Sequence, residues 1–384
     1  MLTAIACVPP LIWAYLLLAR GGFWRVSKQL TPTNLTASVS GSVVAVIPAR
    51  NEAAGIGHTI TSLLQQDFPC LLRIIVVDDQ SEDGTAEVAR RAAARVGKEH
   101  LVTLIPGRPL PSGWTGKMWA VAQGVAEAER LNTEYLLLTD ADIQHAPNNI
   151  SELLRIAQSG GYDLVSYMVK LACEMTAEKA LIPAFVFFFL MLYPPAAIRS
   201  TTSKVAGAAG GCMLIRTTAL RAAGGIDRIR SEVIDDCALA SAVKSSGGRV
   251  WLGLTASTRS LRSYSSFGEI ERVIARTAFN QLQHSWLLLG FTCLGLLLTY
   301  LLPVAFVFSG HLVPAILGAT TWALMAIAYL PMVRFYRRSA FWSTTLPLVA
   351  LFYMAATVHS AVQYASGKGG QWKGRTQDKK LSRS

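Results

Sequence analysis

The sequence predicts an α/β domain with a mostly parallel sheet, held to a membrane by an N-terminal anchor and by C-terminal transmembrane helices. Strand-like and helix-like segments alternate between residues 43 and 169, which is typical of parallel strands joined by crossover helices. Apolar residues make up 52% of the 384 residues and charged residues only 16%, a balance that indicates membrane segments. The polar stretch between the first and second long apolar segments is large enough for one substantial core.

The elements of the α/β domain follow in order along the chain. A linker rich in Thr, Ser, Pro and Gly, within residues 20–42, precedes the domain, which we expect to extend over residues 43–285. Short apolar runs bounded by turn residues predict strands at 43–48, 72–77, 101–105, 135–139 and 163–169. Segments of helical composition predict helices at 55–66, 85–95, 117–130 and 148–158.

Four apolar segments are long enough to be compared with the thickness of a bilayer. The first, residues 2–19, carries no charge and no preceding basic region, which favours an anchor over a cleaved signal peptide. The other three predict C-terminal membrane segments, and a basic tail at 365–384 follows them. They lie at 286–308, 312–333 and 341–364.

A further apolar stretch, residues 182–198, lies inside the domain. It is short for a membrane span and contains Pro183, Pro194 and Pro195. We expect a membrane-facing hairpin or flap at the bilayer surface rather than a buried core helix.

The net charge of +12 lies almost entirely beside the apolar segments. This placement argues against nucleic-acid binding and favours anionic lipid headgroups as partners. By the positive-inside tendency, the large domain is cytoplasmic, in a multi-pass protein of the cell membrane. If all four apolar segments span the bilayer, the basic tail ends outside, whereas the basic clusters on both sides of segment 341–364 indicate the inside. The sequence therefore leaves the topology open.

The six cysteines form no C-x-x-C pair and show no regular spacing. This pattern argues against a zinc site and against a disulfide framework, and it agrees with a reduced, cytoplasmic domain.

Acidic residues follow three of the predicted strands. Asp140-Ala141-Asp142 comes directly after strand 135–139, at the edge where open α/β sheets bind ligands. Two carboxylates there suit a magnesium-type ion that clamps a diphosphate. The first two strands end in Pro48-Ala49-Arg50-Asn51-Glu52 and Asp78-Asp79-Gln80-Ser81-Glu82-Asp83-Gly84-Thr85. Asp78 and Asp79 could accept hydrogen bonds from a ribose or a base, whereas Asp83-Gly84 predicts a plain turn and helix start.

Two common nucleotide and metal motifs do not fit these loops. A calcium loop that begins at Asp79 requires glutamate at its twelfth position, which is Arg90. Gly55-Ile56-Gly57 resembles a dinucleotide-binding turn, but its third glycine position holds Ile60.

Three more clusters suit phosphate or proton chemistry. Lys117 opens a helix after the turn Gly113-Trp114-Thr115-Gly116, a position that favours anions. Asp235-Asp236 begins a helix after a glycine-rich stretch, and one of these two acids is the best candidate for a general base. The segment 267–284 predicts an amphipathic helix at the bilayer surface. On one face of it Arg272 and Arg276 could reach a diphosphate, and the tail motif Trp372-Lys373-Gly374-Arg375 could close over a phosphate.

Five of these motifs stand in the order typical of family 2 glycosyltransferases, and the sequence resembles that family over about residues 43–285. The motifs lie at 46–52, 77–85, 116–124, 140–142 and 235–239. The resemblance implies a Rossmann-like GT-A fold. The turn 113–117, the stretch 276–279, the three trailing apolar segments and the tail 372–375 are most similar to the hopene-associated glycosyltransferases of hopanoid biosynthesis.

The resemblance also implies residue roles. Asp79, with Asp78 beside it, is expected to hold the base and ribose, and Asp142 to ligate Mg²⁺ or Mn²⁺ on the diphosphate, with Asp140 helping through sugar or water. Asp236 matches the catalytic base, and Asp235 stands where glutamate is usual. The other residues expected to bind the donor are Pro48, Arg50, Glu52, Lys117 and Arg276.

These expectations combine into a membrane-bound inverting glycosyltransferase. It is expected to move a sugar from a nucleotide sugar, by resemblance a UDP-sugar, to a lipid hydroxyl in hopanoid metabolism. The Q-x-x-R-W motif of polymer-making members is missing after Gln281, which argues against a processive synthase. Two alternatives stay open: an enzyme of the same fold that acts on a polyprenyl phosphate or a carotenoid, and a non-catalytic membrane scaffold or lipid-binding protein.

Overall fold

A computed structural model describes residues 2–30, 39–67, 72–367, 371–372 and 375–376. The elements of the first half are α1 Leu2–Ala6, α2 Val8–Leu18, β1 Val43–Ala49, α3 Ala53–Leu64, β2 Leu72–Asp78, α4 Thr85–Val96, β3 Val102–Pro106, α5 Gly116–Glu129, β4 Tyr135–Thr139, β5 Ile143–Gln144, α6 Asn149–Gly160 and β6 Leu164–Lys170. Those of the second half are α7 Thr176–Leu192, α8 Pro195–Arg199, β7 Cys212–Arg216, α9 Thr217–Ala222, α10 Asp235–Ser245, β8 Val250–Ser260, α11 Phe267–Gln281, α12 Trp286–Leu296, α13 Leu302–Val307, α14 Leu312–Phe335, α15 Leu346–Ala365, β9 Gln371–Trp372 and β10 Arg375–Thr376.

The described residues form two compact units. The sheet unit comprises the described residues of Leu30–Ala172 and Ala197–Arg262, together with the strands β9 and β10. The helical unit comprises three segments: the described residues up to Gln29, the segment Cys173–Ala196, and the described residues from Ser263 to 367.

The sheet unit is built on one large mixed sheet with strand order β3-β2-β1-β4-β7-β6-β8-β5. The strands β3, β2, β1 and β4 are parallel neighbours, as are β6 and β8, whereas β7 runs antiparallel to both β4 and β6. Because β7 is reversed, its first residue Cys212 pairs with Thr139, the last residue of β4. The chain that precedes β7 therefore reaches the sheet edge at which the first four strands end.

The core of this unit follows from the residues of its central strands. Every residue of β1 is buried, as expected for a parallel strand covered on both faces. Helix α5 lies close to β1 because Gly124 faces Val46: a Cβ at Gly124 would lie 2.4 Å from Val46 Cγ1. Glycine at this position thus allows a close approach of helix and sheet.

The predicted elements of the domain are confirmed, with ends that differ from the expected ones by at most two residues. Three strands of the large sheet, the two-residue β5 and the longer β7 and β8, are not predicted from the sequence. β7 is five residues long and follows directly after Gly210-Gly211, and the outer part of β8 is polar and partly exposed. None of the three gives the sustained apolar pattern that identifies a strand from sequence.

The helical unit contains the long apolar helices. Four helical segments could cross a membrane by length and composition: Thr176–Arg199, Trp286–Val307, Leu312–Phe335 and Ala340–Ala365. The last three confirm the predicted C-terminal apolar helices. The N-terminal stretch Leu2–Leu18 is a shorter apolar helix, so its role as an anchor stays a prediction.

The expected hairpin at 182–198 is wrong, because this region forms the continuous helix α7 followed by the short α8. Pro183 is accommodated inside α7, and Pro195 occupies the first position of α8, where a missing N–H costs nothing. Phe187 and Leu190 are buried within the unit. Whether α7 faces lipid stays a prediction.

The predicted amphipathic helix after residue 266 is confirmed as α11, capped by the Ser266 hydroxyl, which accepts a hydrogen bond from Glu269 N. Its buried face packs on α15. There the Ser360 hydroxyl accepts a hydrogen bond from Phe279 N at 3.0 Å and donates one to Ala275 O. Its position at a bilayer surface stays a prediction.

Candidate active site

The ends of β1 and β2 are joined by an arginine and an aspartate. Arg50 Nη1 donates a hydrogen bond to the main-chain oxygen of Asp79 at 2.7 Å and lies 3.8 Å from its carboxylate oxygen Oδ2. The Asp79 side chain is only 1% exposed, so this ion pair is largely shielded from water. Two residues that the sequence assigned to donor binding are therefore in direct contact.

The two loops also exchange hydrogen bonds directly. Asn51 N donates to Ser81 Oγ at 3.0 Å, and Glu82 N donates to Asn51 Oδ1 at 2.9 Å. Asn51 and Gln80 both have positive φ, near +52° and +56°, which asparagine tolerates better than most residues. The Asp78 carboxylate accepts a hydrogen bond from Ser81 N at 3.0 Å, so it stabilises its own turn. These contacts hold the end of β1 against the end of β2.

The Asp140-Ala141-Asp142 turn lies against the start of α3. Thr59 Oγ1 donates to Ala141 O at 2.7 Å. A Cβ at Gly55 would lie 3.1 Å from both Ala141 O and Asp142 Cα, closer than an ordinary contact. Gly55, which in the sequence belongs to a pattern resembling a dinucleotide-binding turn, thus allows α3 to approach the acidic turn.

The acidic turn is electrostatically suited to a cation. Burial raises the pKa of Asp142, and the carboxylates of Asp140 and Glu52 add to the rise, while Arg262 opposes it, so the pKa is about 6. Among the residues that the structure describes, no group of three or more His, Cys, Asp or Glu side chains is arranged to hold a metal. One or two carboxylates with substrate phosphates as further ligands are nevertheless the usual donor set for Mg²⁺, and Asp142 with Asp140 fits it.

Lys117 connects the acidic turn to the start of α10. Its Nζ lies 3.0 Å from Asp140 Oδ1 and 3.1 Å from Asp235 Oδ2. The helix that presents it is capped by Thr115, whose hydroxyl accepts a hydrogen bond from Met118 N. Burial alone lowers the pKa of Lys117, but Asp140, Asp235 and Asp236 outweigh it, so the pKa lies above its ordinary value and the ammonium stays charged.

Asp236 is held by two main-chain N–H groups. Its Oδ2 accepts from Gly210 N at 2.8 Å and its Oδ1 from Cys237 N at 2.7 Å. Burial raises its pKa and Asp235 adds to the rise, while Lys117 and the two N–H groups oppose it, which leaves the pKa at about 6. A carboxylate with this pKa is ionised at neutral pH and is a stronger base than an ordinary aspartate.

A small pocket lies beside the charged side chains of Lys117, Asp140 and Asp235, between β1, β4, α5 and α10. Lys117, Asp140 and Asp235 are its charged lining residues. The others are Pro48, Met118, Val121, Leu138, Thr139, Gly210, Met213, Ile226, Ile229 and Leu239. The pocket is therefore apolar inside, with two acids and one cation that can contact a polar ligand.

A buried polar network lies behind the acidic turn. Asn149 Nδ2 is 3.0 Å from His145 Nδ1, and His145 Nε2 is 3.1 Å from the Thr139 hydroxyl, which donates to Gly211 O at 2.8 Å. Burial lowers the pKa of His145 to about 3, so its ring is neutral. The network ties the end of β4 to the segment that precedes β7.

The structure thus brings together, in the sheet unit, Pro48, Lys117, Asp140, Asp235 and Asp236, with Asp142 in the same acidic turn. Arg276 lies in α11 of the helical unit, where it is exposed. The main chains of Trp372 and Arg375 pair between the short antiparallel strands β9 and β10, whereas Lys373 and Gly374 lie outside the described residues.

Several residues of the site were not singled out from the sequence. Gly210 was noted only within a glycine-rich stretch, and His145 and Ser166 carry no local pattern. Only their contacts in the folded structure identify them: Gly210 donates to Asp236, His145 lies beside Thr139, and Ser166 bonds the main chain of Ala209.

The comparison with known families agrees with this geometry. Residues 44–224 match the model described as Glycosyl transferase family 2. This part of the chain is similar to a family 2 glycosyltransferase domain. This match argues against the scaffold alternative, because the matched family consists of enzymes and Lys117 contacts both Asp140 and Asp235 at the candidate site.

Two curated relatives are 4,4'-diaponeurosporenoate glycosyltransferases from Staphylococcus aureus. The protein of strain bovine RF122 / ET3-1 is 37% identical over 113 residues, which are 29% of this chain and 27% of that protein. The protein of strain USA300 is 38% identical over 109 residues, or 28% of this chain and 26% of that protein. The chain thus matches about a quarter of the length of these relatives.

A solved structure shares the fold. It is the mannosyltransferase PcManGT from Pyrobaculum calidifontis in complex with GDP-Man and Mn²⁺, with a TM-score of 0.53 and 18% identity over 94% of this chain and 99% of that chain. At this identity the likeness concerns the fold, and it confirms the predicted GT-A type.

Proposed function

We propose that this protein is a membrane-bound inverting glycosyltransferase that moves a sugar from a nucleotide sugar to a lipid hydroxyl group. The observation that carries the proposal is the arrangement at the edge of the sheet. A buried carboxylate, Asp236, is held by two N–H groups, next to a lysine that contacts both Asp140 and Asp235. Asp236 is suited to remove a proton, and the charged groups around Lys117 are suited to bind a diphosphate.

Asp236 acts as the general base in this proposal. It takes the proton of the acceptor hydroxyl while that oxygen attacks the anomeric carbon. The bond from that carbon to the diphosphate breaks, and the nucleoside diphosphate leaves with the bonding electrons. A single displacement inverts the configuration at the anomeric carbon. General-base help of this kind is typically worth about 10²–10⁴ in rate.

The remaining acids and cations bind the donor. Asp142, with Asp140, would hold Mg²⁺ or Mn²⁺, which supplies charge stabilisation for the leaving diphosphate when bound. Lys117 stays charged and can contact a phosphate or the sugar after exchanging one of its carboxylate partners. Arg50, Glu52, Asp78 and Asp79 stand at the joined ends of β1 and β2, and in this proposal they contact the base and ribose.

The acceptor is proposed to be a polycyclic or polyene lipid, reached from the membrane. Four helical segments are apolar and long enough to span a bilayer, which supports a multi-pass protein of the cell membrane. The basic residues beside them support a cytoplasmic catalytic domain near anionic headgroups. The resemblance to hopene-associated members favours a hopanoid acceptor and a UDP-sugar.

A carotenoid acceptor is the second candidate. The observation that favours it is the identity to proteins named diaponeurosporenoate glycosyltransferases over a segment of about 110 residues. Both candidates share the same chemistry at Asp236, so the acceptor alone separates them.

The test uses membranes that contain either the wild-type protein or Asp236→Asn, which keeps the shape but cannot accept the proton. Labelled UDP-glucose, UDP-N-acetylglucosamine or GDP-mannose is supplied with Mn²⁺ and with a hopanoid or carotenoid extract. We expect label in the organic phase from the wild type and a loss of about 10²–10⁴ in the variant. Near-normal transfer by Asp236→Asn would show that the base is wrongly assigned.

A further inference from the structure

Behind Asp236 lies a short main-chain segment, residues 208–211, which we call the base platform. We propose that Ser166 is a positioning residue that fixes Asp236 through the peptide between Ala209 and Gly210. The inference rests on the proposed role of Asp236 as the base and adds a residue that touches neither donor nor acceptor.

The contact runs through a single peptide group. Ser166 Oγ donates a hydrogen bond to Ala209 O at 3.1 Å and accepts one from Ala209 N at 2.8 Å. The carbonyl of Ala209 and the N–H of Gly210 belong to the same peptide, and this N–H donates to Asp236 Oδ2 at 2.8 Å. The Ser166 hydroxyl and the Asp236 carboxylate are therefore joined by a continuous chain of hydrogen bonds.

Such a chain has a physical consequence for the carboxylate. A donor on the carbonyl of a peptide polarises it and strengthens the hydrogen bond that its N–H donates. A stronger donor stabilises the ionised form of the acceptor. Ser166 therefore orients Asp236 and favours its charged state without touching it.

Burial makes the serine difficult to replace. Ser166 is fully buried and Ala209 is 7% exposed, so water has little access to the Ala209 main chain. Without the hydroxyl, the Ala209 N–H would lose its partner in an apolar setting, and the Ala209 carbonyl would keep the longer hydrogen bond from Cys212 N at 3.4 Å. The base platform has other attachments on both sides: Cys237 Sγ donates to Ala208 O at 3.6 Å, and Thr139 Oγ1 donates to Gly211 O at 2.8 Å. Loss of Ser166 should loosen the middle of the platform rather than release it.

The other groups that act on Asp236 come from different elements. Asp235 raises its pKa, while Lys117 of α5 and Cys237 N of α10 lower it, and Lys117 is itself paired with Asp140. Ser166 lies on β6. A change at Ser166 therefore alters the Gly210 donor without removing any of these charges.

The experiment compares Ser166→Ala and Ser166→Cys with the wild type in the full-length, membrane-extracted protein. Cysteine is close to serine in size but is a weak donor, so it separates loss of the hydrogen bond from loss of volume. The matched control is Ser151→Ala, because Ser151 is also buried, and its hydroxyl bonds Asp67 at 3.0 Å. Release of nucleoside diphosphate is followed from pH 5 to 9 with Mn²⁺ and the donor that the wild type turns over best among UDP-glucose, UDP-N-acetylglucosamine and GDP-mannose.

We expect both Ser166 variants to shift the acid limb of the rate profile upward by about 0.5–1 pH unit. We also expect the alkaline plateau to fall about threefold to tenfold, with an unchanged KM for the donor and with Ser151→Ala behaving as wild type. A purely structural role would lower the amount of folded protein but would leave the position of the acid limb unchanged. Folded Ser166 variants with a wild-type limb and plateau would overturn the inference.

A second measurement does not depend on turnover. In metal-free protein, the infrared band of the protonated Asp236 carboxyl group, identified by its loss in Asp236→Asn, is followed against pH. We expect it to persist to higher pH in both Ser166 variants, and an unchanged midpoint would contradict the inference. An active Asp236→Asn would instead refute the proposed base, whereas an inactive Asp236→Asn with normal Ser166 variants would refute only the positioning role.

Discussion

A methyl group added at Gly55 tests whether the position of the acidic turn controls donor use. Gly55 lies in the first turn of α3, and its missing side chain faces the Asp140-Ala141-Asp142 turn. The Gly55→Ala variant would place a Cβ 3.1 Å from Ala141 O and from Asp142 Cα. Both atoms are main-chain atoms, so the contact cannot be relieved by turning a side chain.

The size of the effect follows from the size of the overlap. An ordinary contact begins near 3.4 Å, so the turn or the helix must move by about 0.3 Å. A displacement of about 1 Å at a reacting centre can cost about 10²-fold in rate, which scales to a loss of about threefold to tenfold here. The overlap lowers the stability of the fold, whereas alanine stabilises a helix by about 0.5–1 kcal/mol relative to glycine. Because the two effects oppose each other, the variant should stay folded.

The assay measures kcat/KM for the nucleotide sugar with Mn²⁺, together with thermal stabilisation by the nucleotide. Gly57→Ala is the matched control: it lies in the same helix, and its Cβ would meet the side chains of Val88 and Ala92 instead of the acidic turn. We expect Gly57→Ala to keep the wild-type kcat/KM. If Gly55→Ala and Gly57→Ala behave alike, the acidic turn is not sensitive to α3 and our reasoning about Asp142 fails.

Two further predictions concern stability. Gly124→Ala should destabilise the domain by about 1–3 kcal/mol, because its Cβ would lie 2.4 Å from Val46 Cγ1, and the double variant with Val46→Ala should recover part of this loss in thermal melts. Two additive losses would contradict the contact. His145 should make stability fall as the pH drops below 6.5, because the unfolded chain then binds a proton that the folded chain refuses down to about pH 3. His145 contributes at most about 1.4 kcal/mol per pH unit to this slope, and melts of His145→Gln should lack that contribution; the same pH dependence in His145→Gln and wild type would exclude His145 as the cause.

Local sequence patterns predict much of the secondary structure of this protein and the position of its acidic residues. Runs such as 43–48 and 135–139 are apolar and bounded by turn residues, and a buried parallel strand requires no information from distant parts of the chain. The acidic ends of these strands could be placed at one edge of the sheet because parallel strands all end on the same side. Asp236 and Asp142 were singled out through motifs whose residues are close in sequence.

Contacts between residues far apart in the sequence cannot be predicted from these local patterns. No spacing predicts that β7 reverses direction, yet this reversal brings Gly210 to Asp236 and Gly211 to Thr139. The prolines of 182–198 predict a hairpin, yet Pro183 lies within the helix α7, because packing of the helix outweighs the loss of one main-chain hydrogen bond.

The sequence by itself therefore determined the class of the fold, the family resemblance and the acids of the site, because each depends on residues near one another in the chain. Only the tertiary structure decided which groups act on those acids. Lys117 bridges Asp140 and Asp235, and Ser166 holds the peptide that donates to Asp236, although each of these pairs joins different elements. The strength of a carboxylate as a base depends on burial and on neighbouring charges and donors, and these are set by packing.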